Sequence, residues 1–86
     1  MEIKFSLAAW EQYIAWQKQD KRTLKRINEL LKDIVRGNPY EGIGKPEPLK
    51  GNLSGFWSRR IDEQNRLVYR VQGRLTIAQC KGHYDD

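Results

Sequence analysis

FWSRRIDEQNRLVYRVQGRLTIAQCK, residues 56–81, decides the fold. Three segments within it, 56–61 (FWSRRI), 66–71 (RLVYRV) and 74–81 (RLTIAQCK), read as strands. The breaks between them, Asp62-Glu63-Gln64-Asn65 and Gln72-Gly73, are turn formers, so the stretch predicts an antiparallel meander. Strand residues two apart share a face. Phe56, Ser58 and Arg60 therefore point one way and Trp57, Arg59 and Ile61 the other, while Leu67, Tyr69 and Val71 oppose Arg66, Val68 and Arg70. The apolar triplet needs a cover, which leaves Arg66 and Arg70 on the open face. A turn that pairs residue 60 with residue 66 adds Arg60 to that face and sets Trp57 opposite Tyr69 in the core. Two arginines directly across a ladder repel each other, an arrangement that makes sense around a bound phosphate; a register slipped by one residue would part them. A tight Gln72-Gly73 turn pairs 71 with 74. That register carries 75, 77, 79, 81 and 83 onto the arginine face, brings His83 beside Arg66, leaves Leu75 and Ile77 uncovered, and turns Cys80 away as a small buried filler.

The cover lies upstream. Ile3 and Phe5 alternate with charged residues as a short strand that joins the sheet, and Ser6 is suited to cap a helix. Leu7, Trp10, Ile14 and Gln17 recur at helical spacing, which predicts that Trp10 and Ile14 face the core. Asp20 caps a second helix, whose apolar stripe of Leu24, Ile27, Leu31, Ile34 and Val35 runs until Gly37-Asn38-Pro39 stops it. Lys21, Arg22, Lys25, Arg26 and Lys32 form its solvated side. Residues 37–48, GNPYEGIGKPEP, hold too many breakers for a helix or a central strand and read as a loop. The prediction is an α+β fold, an antiparallel sheet with two N-terminal helices packed on one face, forming one domain over residues 1–86.

Composition narrows the function. Of a net charge of +5, the greater part falls late in the chain: residues 45–81 carry eight Lys and Arg against three Asp and Glu. Such a field attracts phosphate backbones and fits an acidic protein partner. No apolar run approaches the ~20 residues of a membrane span, and the first residues lack the core of a signal peptide, so a cytoplasmic protein is expected. Cys80 is the sole cysteine and His83 the sole histidine. An internal disulfide is thereby excluded, and neither a metal site nor another cofactor is expected.

Cutting RNA without a metal takes a base for the ribose 2′-hydroxyl, cations for the phosphate and an acid for the departing 5′-oxygen. One candidate exists for each role. Glu47, stiffened between Pro46 and Pro48, is the base. Lys50, Arg60 and Arg66 are the cations, His83 is the acid, and Tyr84 can stack on a nucleobase. The competing reading is a noncatalytic nucleic-acid- or ribosome-binding module on the same basic sheet. Glu47 separates the two, because a carboxylate among cations weakens phosphate binding and serves chiefly as a base.

KPEPLKGNLSGFWSRRIDEQNRLVY at 45–69, the terminal His83-Tyr84, W-x-x-Y-x-x-W at 10–16 and DKRTLKRINELLKD at 20–33 together resemble the YoeB/RelE toxin family, over essentially the whole chain. The resemblance implies a microbial-ribonuclease-like fold and a toxin of a type II toxin–antitoxin system, a ribosome-dependent endoribonuclease that cuts mRNA in the A site. It implies Glu47 as general base, His83 as general acid, Arg66 and Arg60 on the phosphate, and Lys50 and Tyr84 in support. The implied partners are a YefM-like antitoxin with an acidic tail, the ribosome and mRNA, operator DNA through the antitoxin complex, and a second copy of the chain. Gly51 and Gly82 stand where relatives often carry larger side chains, and Asp85-Asp86 extend past the usual His-Tyr ending.

Overall fold

The computed structural model describes residues 1–84. Strand β1 (Ile3–Phe5) passes through Ser6, whose hydroxyl accepts the backbone N–H of Ala9 at 3.0 Å, into helix α1 (Leu7–Gln19). Asp20 both ends α1 and caps α2 (Lys21–Arg36): its carboxylate accepts the N–H groups of Arg22 and Thr23 and the Thr23 hydroxyl, so the two helices turn about one residue. Then follow β2 (Glu47–Pro48), a 3-10 turn (Gly51–Leu53), β3 (Trp57–Arg60), β4 (Arg66–Val71) and β5 (Leu75–Gln79). The five strands lie in the order β1-β5-β4-β3-β2. After β1 the two helices intervene before β2 at the far edge, and the chain then meanders back to β5. There β1 pairs in parallel, while every other pair is antiparallel. The expected α+β architecture is found, with a mixed rather than wholly antiparallel sheet.

One face of the sheet meets the helices. Ile27, Leu30 and Ile34 of α2 and Ala9 and Trp16 of α1 close over Leu67, Tyr69, Leu75 and Ile77, all buried. At ~1.5–3 kcal/mol for each large apolar side chain removed from water, this layer holds the helices to the sheet. The indole N–H of Trp16 donates to the Cys80 carbonyl at 2.9 Å, and the Gln12 amide oxygen accepts the Cys80 N–H at 2.8 Å. These two anchors set the rotation of α1, and they overturn the expectation for its outer residues: Trp10 is 47% and Ile14 38% exposed. The buried positions are instead Ala9 and Trp16, seven residues apart and on one face of the helix.

The β4–β5 register also differs from expectation. Val71 pairs with Leu75, not with residue 74, because the Gln72 N–H donates to the Arg74 carbonyl and closes a longer turn. Leu75 and Ile77 therefore lie fully buried on the helix face. Between Tyr69↔Ile77 and Val68↔Gln79 the register shifts by one residue, so that Ala78 is the extra residue of a bulge. Beyond it, Gln79 shares the face of Val68 and Cys80 returns to the core.

Candidate functional site

Pro48 tolerates an edge strand because its missing N–H faces no partner, and a residue before proline is held out of the helical region; Glu47-Pro48 accordingly forms a short β2 inside the stretch read as a loop. Glu47 pairs with Ser58 and so lies on the face opposite the helices. On β3 and β4 the expected pairing is present: Arg60 faces Arg66, and Trp57 faces Tyr69. Glu47, Ser58, Arg60, Arg66 and Val68 thus share one face. Arg66 donates through Nη1 to the carbonyls of Asp62 (2.6 Å) and Asn65 (3.1 Å), which ties it to the β3–β4 turn. The guanidinium of Arg70 covers the Phe56 ring, 4.9 Å from its centroid.

The C-terminal segment closes this face. The Arg66 N–H donates to the Gly82 carbonyl at 3.0 Å, and the Gly82 N–H to the Asn65 side-chain oxygen at 2.8 Å. Two residues on, the Tyr84 hydroxyl donates to Glu47 Oε1 at 3.2 Å and lies 3.3 Å from Ser58 Oγ. His83, exposed, sits between the residue bonded to Arg66 and the residue bonded to Glu47. The chain from 82 to 84 therefore spans the face from β4 to β2. Ser58, only 2% exposed, lies beneath it. Lys50 is exposed at the entry to the 3-10 turn, three residues past Glu47, and the Leu49 N–H, bonded to the Phe56 carbonyl at 2.9 Å, returns this excursion to the sheet edge.

What holds Glu47 in place begins with Arg59, whose parity puts it on the core side of β3 and whose side chain is 0% exposed. Its guanidinium donates to the Asp33 carboxylate and to the carbonyls of Ile43 (3.1 Å), Asn38 (2.9 Å) and Glu41 (2.9 Å), and its Nε to the Tyr69 hydroxyl (3.1 Å). The Tyr69 hydroxyl in turn donates to the Pro39 carbonyl at 2.6 Å. The side-chain hydrogen bond from Arg59 holds the Asp33 carboxyl below the usual carboxylate range, while burial pushes the Tyr69 hydroxyl up. One buried cation thereby gathers carbonyls that would otherwise be desolvated and unpaired, and the breaker-rich segment becomes an ordered loop. Gly44 completes it: at φ +81° its carbonyl accepts the Arg60 N–H at 2.7 Å, and an added Cβ would lie 2.8 Å from Leu30 Cδ2 and 3.1 Å from the Arg60 carbonyl.

All six residues singled out from the sequence thus belong to this sheet face, its β2 edge or the segment that closes it. Sequence reasoning missed Ser58, Asn65, Gln79 and Arg59. Of these only Arg59 had a readable signal, a charged residue at core-facing parity. Cys80 is buried, and burial raises its thiol to about 11, so it is no nucleophile. Among the described residues no group of His, Cys, Asp and Glu is arranged to hold a metal ion. Asp85 and Asp86 lie outside the described residues. Open hollows of about 340 and 260 Å³ lie against α2, lined by Glu29, Lys32 and Arg36 in one and by Arg22 and Arg26 in the other. None of the six candidates lines either hollow; Glu47, Arg60 and Arg66 share the open face of the sheet, and Tyr84 reaches Glu47.

A small α+β protein with two helices over one sheet face, and with a carboxylate, paired arginines and a histidine-bearing tail on the other, fits the toxins of bacterial toxin–antitoxin systems. The profile described as YoeB-like toxin of bacterial type II toxin-antitoxin system matches residues 5–84, and the chain belongs to that family. The toxin YoeB of Escherichia coli is 58% identical over 85 residues, covering 98% of this chain and all of its own. The YoeB/ParE toxin from Agrobacterium tumefaciens superposes with a TM-score of 0.94 at 46% identity, covering 98% of this chain and 100% of its own. YoeB of Staphylococcus aureus, solved both as a dimer and in a heterotetrameric YoeB–YefM complex, superposes with a TM-score of 0.91 at 53% identity, with 98% of each chain covered. None of the described helices is long and apolar enough to cross a membrane.

Proposed function

We propose that the protein is a cytoplasmic, ribosome-dependent endoribonuclease that inhibits translation by cutting mRNA in the A site through acid–base catalysis. Glu47 takes the proton of a ribose 2′-hydroxyl and the 2′-oxygen attacks the adjacent phosphorus. As the bond to the 5′-oxygen breaks, His83 protonates the leaving oxygen, so a 2′,3′-cyclic phosphate and a free 5′-hydroxyl result. Arg66 and Arg60 bind the phosphate as charge develops on it, Lys50 adds a third cation, and Tyr84 stacks on a base while its hydroxyl orients Glu47. The observation that carries this reading is the short crossing from Gly82, bonded to Arg66, to Tyr84, bonded to Glu47, with the histidine between them.

An open site suits a substrate that is already held by a larger body, as messenger is on a ribosome. The partners that follow are a YefM-like antitoxin whose acidic segment competes with RNA for the basic face, and a second copy of the chain; the Staphylococcus aureus relative is known in both assemblies. Contact with operator DNA runs through the antitoxin complex. The test is primer extension on a translated messenger with the purified protein and with Glu47→Gln and His83→Ala. Each variant is expected to bind ribosomes nearly as well as the parent and to cut ~10²-fold more slowly or worse. Cleavage by both at the parental rate would show that the assigned site is wrong, and a parent that binds ribosomes without cutting would leave only a binding module.

A further inference from the structure

Three consecutive carbonyls near the C-terminus converge on one donor. The side-chain Nε2 of Gln79 donates to the carbonyls of Lys81 at 2.9 Å, Gly82 at 3.1 Å and His83 at 2.7 Å. Carbonyl oxygens turned toward one point repel each other, and a neutral amide NH₂ is pure donor on that side, its two hydrogens shared among the three oxygens. The bulge at Ala78 makes this possible by bringing Gln79 onto the face of Val68; an unbroken register would have sent its side chain into the core beside Ile77. The chain reverses at Gly82 with φ +78°, in open space, so packing does not dictate the reversal. Between buried Cys80 and Tyr84 there is no apolar anchor: Lys81 and His83 are exposed. The path of the backbone into His83 therefore depends on hydrogen bonds, from Gln79 on one side and from Asn65 and Arg66 on the other.

We propose that Gln79 is a positioning residue for the reaction: by clamping the carbonyls of Lys81, Gly82 and His83 it fixes the backbone from which the His83 imidazole reaches the leaving 5′-oxygen. The proposal rests on the reading of His83 as the general acid. Gln79 itself touches neither substrate nor reacting atoms. Gln79→Ala removes the clamp, and Gln79→Glu keeps its shape while setting a carboxylate against three carbonyls. Either change frees the imidazole to wander, and misplacement on the order of 1 Å lowers a rate by up to ~10²-fold.

The experiment uses the full chain on programmed ribosomes under single-turnover conditions. One messenger carries the ordinary linkage at the scissile position, and another carries a 5′-bridging sulfur, a leaving group that departs without a proton. On the ordinary linkage both Gln79 variants are expected to cut about 10- to 100-fold more slowly than the parent, with unchanged half-saturating concentration and unchanged thermal midpoint. On the sulfur linkage they and His83→Ala should match the parent. If His83→Ala is rescued by sulfur while the Gln79 variants remain slow, Gln79 does not act through the acid and the proposal is overturned, as it is if the Gln79 variants cut the ordinary linkage at the parental rate. If His83→Ala is equally slow on both linkages, the acid assignment falls, and the proposal with it.

Discussion

Replacing Arg59 by methionine tests how the loop bearing Glu47 is built. Methionine fills much of the same space but donates nothing, so the change strips the hydrogen-bonded donor from the carbonyls of Ile43, Asn38 and Glu41, from the Tyr69 hydroxyl and from the Asp33 carboxylate. Breaking a buried ion pair from one side costs ~3–5 kcal/mol, because the remaining group stays desolvated. Here the Asp33 side chain retains 34% exposure, so water can take it over, and the lower end of that range, about 3 kcal/mol, is expected. Against a total stability of ~5–15 kcal/mol this is a large fraction, readable in urea unfolding followed by tryptophan fluorescence. Trp57 reports on the loop directly, since the Tyr40 ring lies 4.7 Å from it, centroid to centroid. Asp33→Asn combined with Arg59→Met should cost less than the two single changes added, since neither charge is then stranded. Limited proteolysis should open the variant within residues 38–46. A loss under ~1 kcal/mol with the loop still protected would refute the claim that one buried guanidinium orders this segment.

Three further outcomes follow from single contacts. Asp33 has its carboxyl lowered in the folded state by the Arg59 hydrogen bond, so its contribution is fully present above the ordinary aspartate range and is lost as pH falls through its lowered folded value; the parent and Asp33→Asn should converge in stability on acidification below that range, which urea midpoints taken from pH 6 to pH 2 would show. Gly44→Ala meets both a left-handed backbone and the Leu30 methyl group, and should lower stability by ~1–3 kcal/mol, measured by the same unfolding. The Cys80 thiol, buried and raised to about 11, should resist a thiol reagent at pH 8 in the native protein and react at the rate of free cysteine once urea unfolds the chain.

The sheet was readable where turn chemistry and hydrophobic parity agree. Asp62 and Asn65 close the β3–β4 turn through their own side chains, so Arg60 has to meet Arg66. Rotation of α1 was not readable, because Trp10 and Trp16 are equally apolar. The choice between them falls to the indole of Trp16, which needs an acceptor and finds it at Cys80, 64 residues away. Arg59 shows a related limit. Parity placed it facing the core, but the acceptors that make a buried guanidinium tolerable come from a loop that is distant in sequence and that folds around Arg59. The residues of the site were legible as chemical types, and Gln79 was not among them, since an amide at a strand end carries no signal until the bulge beside it is known.

That bulge reconciles two demands on one strand. The core requires Leu75 and Ile77 inward, opposite Val71 and Tyr69, while the open face requires the chain after β5 to run on the side of Arg66 and Glu47. A regular strand of period two cannot meet both, because every second residue after Ile77 would follow it inward. One added residue at Ala78 inverts the parity. Gln79 then faces outward, Cys80 inward to be bonded by Gln12 and Trp16, and the segment carrying His83 leaves on the arginine side. The parity expected from a 71–74 pairing put Gln79 on the correct face for the wrong reason, since the longer turn and the bulge each shift the register by one residue in the same direction, and a shift of two restores the face. Deleting Ala78 should therefore remove the bulge and leave the parity in place: Gln79 would follow Ile77 directly, face Val68 in regular register and stay outward, and Cys80 would stay inward. The thiol should then be as unreactive toward a thiol reagent in the folded deletion variant as in the parent, and a thiol that reacts in the folded variant would show that Ala78 is not the residue that sets the direction of the tail.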